Sequence, residues 1–141
     1  MRHFHILVFI VSVFLSCKSI DPDSQIVDPL DIQAVLLDGT WKLKDLSSAV
    51  KDGNIEESFS GLEFIIYGST KIGGNYSTVN STDKDVWPQS GTWKFYNDDP
   101  NKIIRNDSVL INISVSDTTL SSSFIIIGGL KEGNWEFSFV K

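Results

Sequence analysis

From Gly39 onward the chain alternates between apolar and polar positions. Trp41 and Leu43 are separated by Lys42, and Leu62, Phe64 and Ile66 alternate with Glu63, Ile65 and Tyr67. Trp93 and Phe95 alternate with Thr92, Lys94 and Tyr96; Ile111 and Ile113 with Asn112 and Ser114; Trp135, Phe137 and Phe139 with Glu136 and Ser138. A period of two marks antiparallel strands with one buried face. Asn75 to Val79, Ile103-Ile104 and Leu120 to Ile127 add further strands. Turn clusters such as Lys51-Asp52-Gly53-Asn54, Asn97-Asp98-Asp99-Pro100-Asn101 and Asn106-Asp107 punctuate them. About eight short strands at this spacing predict an all-β sandwich or barrel, and eight strands in meander order suffice to close a small up-and-down barrel. Ahead of them, DPLDIQAVLLDG reads as one short helix. Asp28 is its N-cap, Pro29 its first residue, Leu30, Ala34, Val35 and Leu37 its apolar face, and Gly39 its stop. Three of the four tryptophans, Trp41, Trp93 and Trp135, stand two residues after a glycine, and two of these stretches read GTWK. The residues that follow diverge at once, so each is read as the start of a strand whose ring enters one core. The three rings are expected together, at one end of the barrel.

The first residues follow another pattern. Arg2, His3 and His5 precede ILVFIVSVFL, an apolar run too short to span a bilayer, which takes about 20 residues. It fits the apolar region of a secretory signal peptide, and it ends in Phe14-Leu15-Ser16-Cys17, which resembles a bacterial lipobox. The expected organisation is a signal peptide over residues 1–16, a lipidated Cys17 with a tether to residue 27, and one domain over residues 28–141. Several acyl chains on Cys17 suffice for stable anchoring. Lys18, in place of Asp, resembles the signal that directs such proteins to the outer membrane.

Net charge changes the list of partners. The chain carries −6, and loss of Arg2 with the leader leaves −7, which argues against nucleic acid and offers anionic lipid no basic patch. Removal of the leader also takes both histidines, and lipid occupies the single cysteine. The domain therefore has no disulfide, no histidine or cysteine nucleophile and no ordinary zinc site, so we expect no enzyme activity, metal or cofactor. The carboxylate pairs Glu56/Glu57, Asp83/Asp85 and Asp98/Asp99 sit in turn-like contexts that suit backbone capping; a surface calcium site and an acid–base pair are the other readings. Trp87, in Asp85-Val86-Trp87-Pro88, lies outside any alternation. It is either a lid over one barrel end or an exposed ring able to stack on a sugar or meet a partner. Asp107-Ser108-Val109 and Asp117-Thr118-Thr119 resemble a sequence glycosylated in some bacteria, which makes Ser108 and Thr118 candidate acceptors.

The blocks LLDGTWKL, GLEFIIYG, VWPQSGTWKFYNDDPNKIIRND, VLINISVSDTTLSSSFII and NWEFSFVK occur in that order from Leu36 to Lys141. In this series the chain resembles the lipocalin-like lipoproteins of Gram-negative bacteria, with Gly39-Thr40-Trp41 at the position of the lipocalin Gly-x-Trp. The resemblance implies an antiparallel barrel and export, without an established activity. Two departures count against a wide cavity. The chain is short, and it lacks the arginine that lipocalins often place on the last strand over the first tryptophan. The functional expectation is a non-catalytic binder of a small apolar molecule or glycan near Trp87, Tyr67 and Tyr76. The alternative is an accessory lipoprotein that meets an envelope protein through outward Ile65, Tyr67, Leu110, Ile125 and Ile127.

Overall fold

A computed structural model describes residues 26–141; the expected leader, Cys17 and most of the tether lie outside the described residues. Helix α1 (Pro29–Leu37) begins as the sequence dictates. Asp28 accepts the N–H of Leu30 at 3.0 Å, and Pro29, which has no N–H to leave orphaned, takes the first position. Ala34 and Leu37 face inward, with Leu30 packed against them. Val35 does not share that face. At 100° per residue it falls on the opposite arc with Ile32, and it is 74% exposed. The helix also stops without a left-handed glycine: Asp38 is extended and donates its N–H to the Ala34 carbonyl, and Gly39 (φ +143°) already belongs to the first strand.

The strands are β1 (Gly39–Leu43), β2 (Ala49–Lys51), β3 (Asn54–Ile55), β4 (Glu63–Thr70), β5 (Gly73–Val79), β6 (Ser90–Tyr96), β7 (Asp99–Arg105), β8 (Leu110–Val115), β9 (Thr119–Ile126) and β10 (Gly133–Val140). From β4 to β10 each pairs antiparallel with the next, and β1 pairs with both β4 and β10, so β1 and β4–β10 close an eight-stranded barrel. The expected all-β, up-and-down barrel with one short helix is the fold observed. The small β2–β3 hairpin was not expected. Its first strand continues β1 along the same partner, because Leu43 opposes Phe139 and Ala49 opposes Phe137. Between them Lys44 donates to the Ser138 carbonyl, and Ser138 donates back to that of Ser48. β1 and β2 are therefore one strand interrupted by a loop. Asp45 holds the loop by accepting from Ser47 and Ser48, and these hydrogen bonds keep its carboxyl below the ordinary carboxylate range. The β6–β7 turn places both Asn97 and Asp98 at positive φ, as a two-residue hairpin of this twist needs.

Alternation decides what fills the barrel. Phe64 and Ile66, Tyr76 and Thr78, Ile111 and Ile113, and Trp135, Phe137 and Phe139 all point inward and are buried. The stacked rings of Trp135, Phe137 and Phe139 run the length of β10 with centroids 5.9 and 6.0 Å apart. The interior is a packed aromatic core, as small barrels commonly have.

Trp41, Trp93 and Trp135 all belong to this core, as expected, but they do not close one end. Trp41 lies under α1, where its Nε1 donates to the Leu37 carbonyl at 2.8 Å. Trp135 lies six residues up β10 from Lys141, about 20 Å of strand, and its Nε1 donates to the Lys131 carbonyl at the far end. The glycines differ too. Gly39 and Gly133 have φ of +143° and +146°, whereas Gly91 has an ordinary backbone and leaves room for Tyr76, whose hydroxyl would lie 2.7 Å from a Cβ at that position. The missing arginine over Trp41 has a substitute in Lys141, whose Nζ sits 4.6 Å from the ring centroid and 3.3 Å from the Leu36 carbonyl. An exposed cation over an indole contributes about 0.5–1 kcal/mol. Lys141→Ala is therefore expected to cost about that much in urea unfolding followed by tryptophan fluorescence, and Lys141→Arg to cost nothing measurable.

Candidate functional site

The two barrel ends are built differently. The β4–β5 turn meets α1, with the Ser69 N–H on the Asp38 carboxylate and Lys71 beside Asp28. The loop at the other end of β5, residues 80–89, must therefore lie at the opposite mouth. There it folds inward and carries Trp87 into the core, 0% exposed. The indole packs against Phe64, Phe124 and Phe137 at centroid distances of 4.6, 5.2 and 5.5 Å. A buried loop outside any ladder must still satisfy its backbone, and three successive carbonyls each find a side-chain donor. Arg105 Nη1 reaches the Val86 oxygen at 2.7 Å, Ser81 Oγ that of Trp87 at 2.6 Å, and Thr78 Oγ1 that of Pro88 at 3.0 Å. Trp87 is thus the lid of the barrel and not an exposed platform. On the same end Phe59, from a short 3-10 turn, packs edge-on to Trp135 and Phe137.

Arg105 is the buried charged group of this mouth. It follows Ile103 at the next inward position of β7, and its side chain is 1% exposed. Its guanidinium carbon lies 5.4 Å from the Trp87 ring and 5.6 Å from Phe124. Asp107 receives it bidentately, at 3.0 Å from Nε and 2.6 Å from Nη2. Burial opposes ionisation of Asp107, but hydrogen bonding and charge from Arg105 outweigh it and hold the carboxyl below its ordinary range. Tyr76 lies nearby. Burial pushes its hydroxyl up, against the pull of Arg105, and among the described residues the hydroxyl has no hydrogen-bond partner, nor has Trp87 Nε1.

The three residues expected to receive a ligand do not converge on one site. Trp87 and Tyr76 both pack on Phe64 inside the core, while Tyr67 is on the outer face of β4, half exposed. Two open clefts of about 500 Å³ lie outside the barrel. One is on the face of β8–β10, among Asn112, Ser114, Ser121, Ser123 and Glu136, and one is beside α1, among Asp28, Leu30, Lys71, Ile72 and Asp98. Two of the three carboxylate pairs contribute turn chemistry through one member each: Asp83 accepts the Asp85 N–H and pairs with Lys131, and Asp99 accepts the Asn101 N–H and pairs with Lys102; Glu56, at the start of the short 3-10 turn, makes no side-chain capping hydrogen bond. Among the described residues no group of three His, Cys, Asp or Glu could hold a metal, and no helix is long and apolar enough to cross a membrane. Ser108 and Thr118 are exposed in the β7–β8 and β8–β9 turns.

The outward apolar residues also separate. β4, with Ile65 and Tyr67, lies diametrically across the ring from β8 and three strands from β9, so the five named residues form no single patch. Leu110, Ile125 and Ile127 do share one side, and Leu130 joins them on the β9–β10 loop; Ile127 and Leu130 are 90% and 97% exposed. This loop lies at the mouth away from α1, because the other end of β10 is tied to α1 through Lys141.

No family model, curated protein or solved structure matches the chain. Arg105 and Phe59 are the site-forming residues that sequence reasoning missed. The signal for Arg105 was its spacing, two positions after Ile103 on a strand whose alternation points inward; Phe59 stands in no periodic segment.

Proposed function

We propose that the chain is a lipocalin-like lipoprotein of the Gram-negative cell envelope, held in the outer membrane by acyl chains on Cys17. It is non-catalytic and acts through contacts on the outside of its barrel with an envelope protein. The observation that carries this reading is the filled interior: Trp87, Phe124, Phe137 and Phe139 occupy the space where a wider barrel holds its ligand. The surface that suits a partner is Leu110, Ile125, Ile127 and Leu130, at the mouth away from α1. In the expressing cell, Cys17→Ser is expected to move the protein from the membrane to the soluble fraction and to abolish incorporation of labelled palmitate. A photo-crosslinking residue at 127 or 130 is expected to give a discrete crosslinked band that one at 67 does not. A Cys17→Ser protein that remains in the membrane counts against the anchor, and equal crosslinking at 67 and 130 counts against the surface.

A second reading, the binding of a small apolar molecule or glycan, has one observation in its favour: Trp87 Nε1 and the Tyr76 hydroxyl are both buried without a partner. It requires the 80–89 loop to swing out. A shift in tryptophan emission on titration with a lipid or a glycan is the result that would favour it.

A further inference from the structure

Helix α1 lies across one mouth of the barrel with Leu30, Ala34 and Leu37 turned in. Its outer arc would ordinarily be polar, yet Ile32 and Val35 occupy the centre of it, exposed. Two further apolar clusters border them. Ile26 and Val27 lead into the helix, and Ile72 stands at the tip of the β4–β5 turn, beside the helix start through the Lys71–Asp28 pair. Ile26 is 95% and Ile72 81% exposed. Five large apolar side chains thus crown the end of the barrel that the chain enters from Cys17.

We infer that this crown rests on the surface of a zwitterionic lipid bilayer. The inference deepens the reading of Cys17 as a lipid anchor and rests on it. Eight residues lie between Cys17 and Ile26, and even fully extended the nine steps between them span at most about 32 Å. The α1 end is therefore held near the bilayer at high effective concentration, and the Ile127 and Leu130 end is the one further from the anchor by the length of the barrel. Confinement turns a patch too small to bind membranes alone into one that orients an anchored protein. Charge selects the lipid. Asp28, Asp31, Asp38 and Asp98 stand at this end against Lys71 and Lys141, so acidic groups outnumber basic ones and the surface suits neutral headgroups and not anionic ones.

The sequence supplies its own probe positions. It has a single cysteine, and lipidation blocks that sulfur, so an introduced cysteine is the one free thiol. Full-length lipoprotein carrying Val35→Cys, Ile72→Cys, Ile127→Cys or Leu130→Cys is labelled with an environment-sensitive fluorophore and reconstituted into phosphatidylcholine vesicles containing nitroxide lipid. Labels at 35 and 72 are expected several-fold more strongly quenched than labels at 127 and 130. Adding Ile32→Ser to the Val35→Cys and Ile72→Cys proteins is expected to reduce that quenching while the protein still floats with the vesicles. Equal quenching at both ends, or none at 35 and 72 in protein that floats, overturns the docking and leaves the anchor standing. Protein that does not float and keeps a reactive thiol at Cys17 overturns the anchor, and the docking with it.

Discussion

Trp87→Ala is expected to lower the unfolding free energy by about 3–5 kcal/mol, the range for truncating a large buried aromatic. The ring is enclosed by Phe64, Phe124, Phe137 and Phe139, and these cannot collapse into the gap, because they are fixed to three strands of the closed sheet, β4, β9 and β10. Urea unfolding followed by far-ultraviolet circular dichroism measures the loss. A value below about 1 kcal/mol would mean that the loop tolerates expulsion of the ring. The void should also bind indole, raising the denaturation midpoint of the variant and leaving the parent unchanged. Trp87→Phe separates volume from polarity. It removes fewer atoms and also abolishes an indole N–H that has no acceptor. Relief of an unpaired buried donor is worth about 1–3 kcal/mol, so the net cost of this change is expected to be small.

The second large effect belongs to Asp107→Ala. It leaves the Arg105 guanidinium buried among Trp87 and Phe124 with only the Val86 carbonyl as a hydrogen-bond partner. Removing one member of a buried pair costs about 3–5 kcal/mol; because Asp107 is itself partly exposed, about 3 is expected. Arg105→Met, which removes the buried charge and keeps an apolar stem, is expected to cost less than Asp107→Ala, since the carboxylate it leaves behind is partly exposed and can be hydrated. The same pair gives the barrel a dependence on acid. The folded Asp107 carboxyl lies below its ordinary value of 3.8. Its stabilising contribution is therefore complete above the unfolded value and disappears as pH falls through the folded one. As pH falls below the unfolded value and on through the folded one, the parent should lose more stability than Asp107→Ala does. Parallel loss in both proteins would show that other carboxylates dominate.

The barrel was legible because its walls obey one rule. Where a strand has one wet and one dry face, the period of two is written into Trp135-Glu136-Phe137-Ser138-Phe139 without interference. The ends follow no such rule. Trp87 sits in a segment whose backbone partners, Arg105, Ser81 and Thr78, are distributed over the chain, so nothing in Asp85-Val86-Trp87-Pro88 distinguishes a lid from an exposed ring. Val35 looked inward because apolar residues were counted onto one face, whereas the helix carries apolar residues on both. Lys141 was invisible as a cover for Trp41, because they stand 100 positions apart and only barrel closure brings them together. The β2–β3 hairpin escaped notice because three residues and two are too few to display a period. The core could be read from sequence; what caps it, and with which charges, is set by tertiary contact.

One feature of the sheet bears on how the chain assembles. β10 is the shared partner of β1, β2 and β9. Every other junction in the barrel except β1–β4 joins strands consecutive in sequence and can form as a local hairpin. Closure waits for the strand furthest along the chain, and until it arrives β1, β2 and β9 are open edges with Trp41 and Phe124 at their margins. For a chain that emerges from its N-terminal side during synthesis, such an arrangement delays the burial of these aromatics until β10 has emerged.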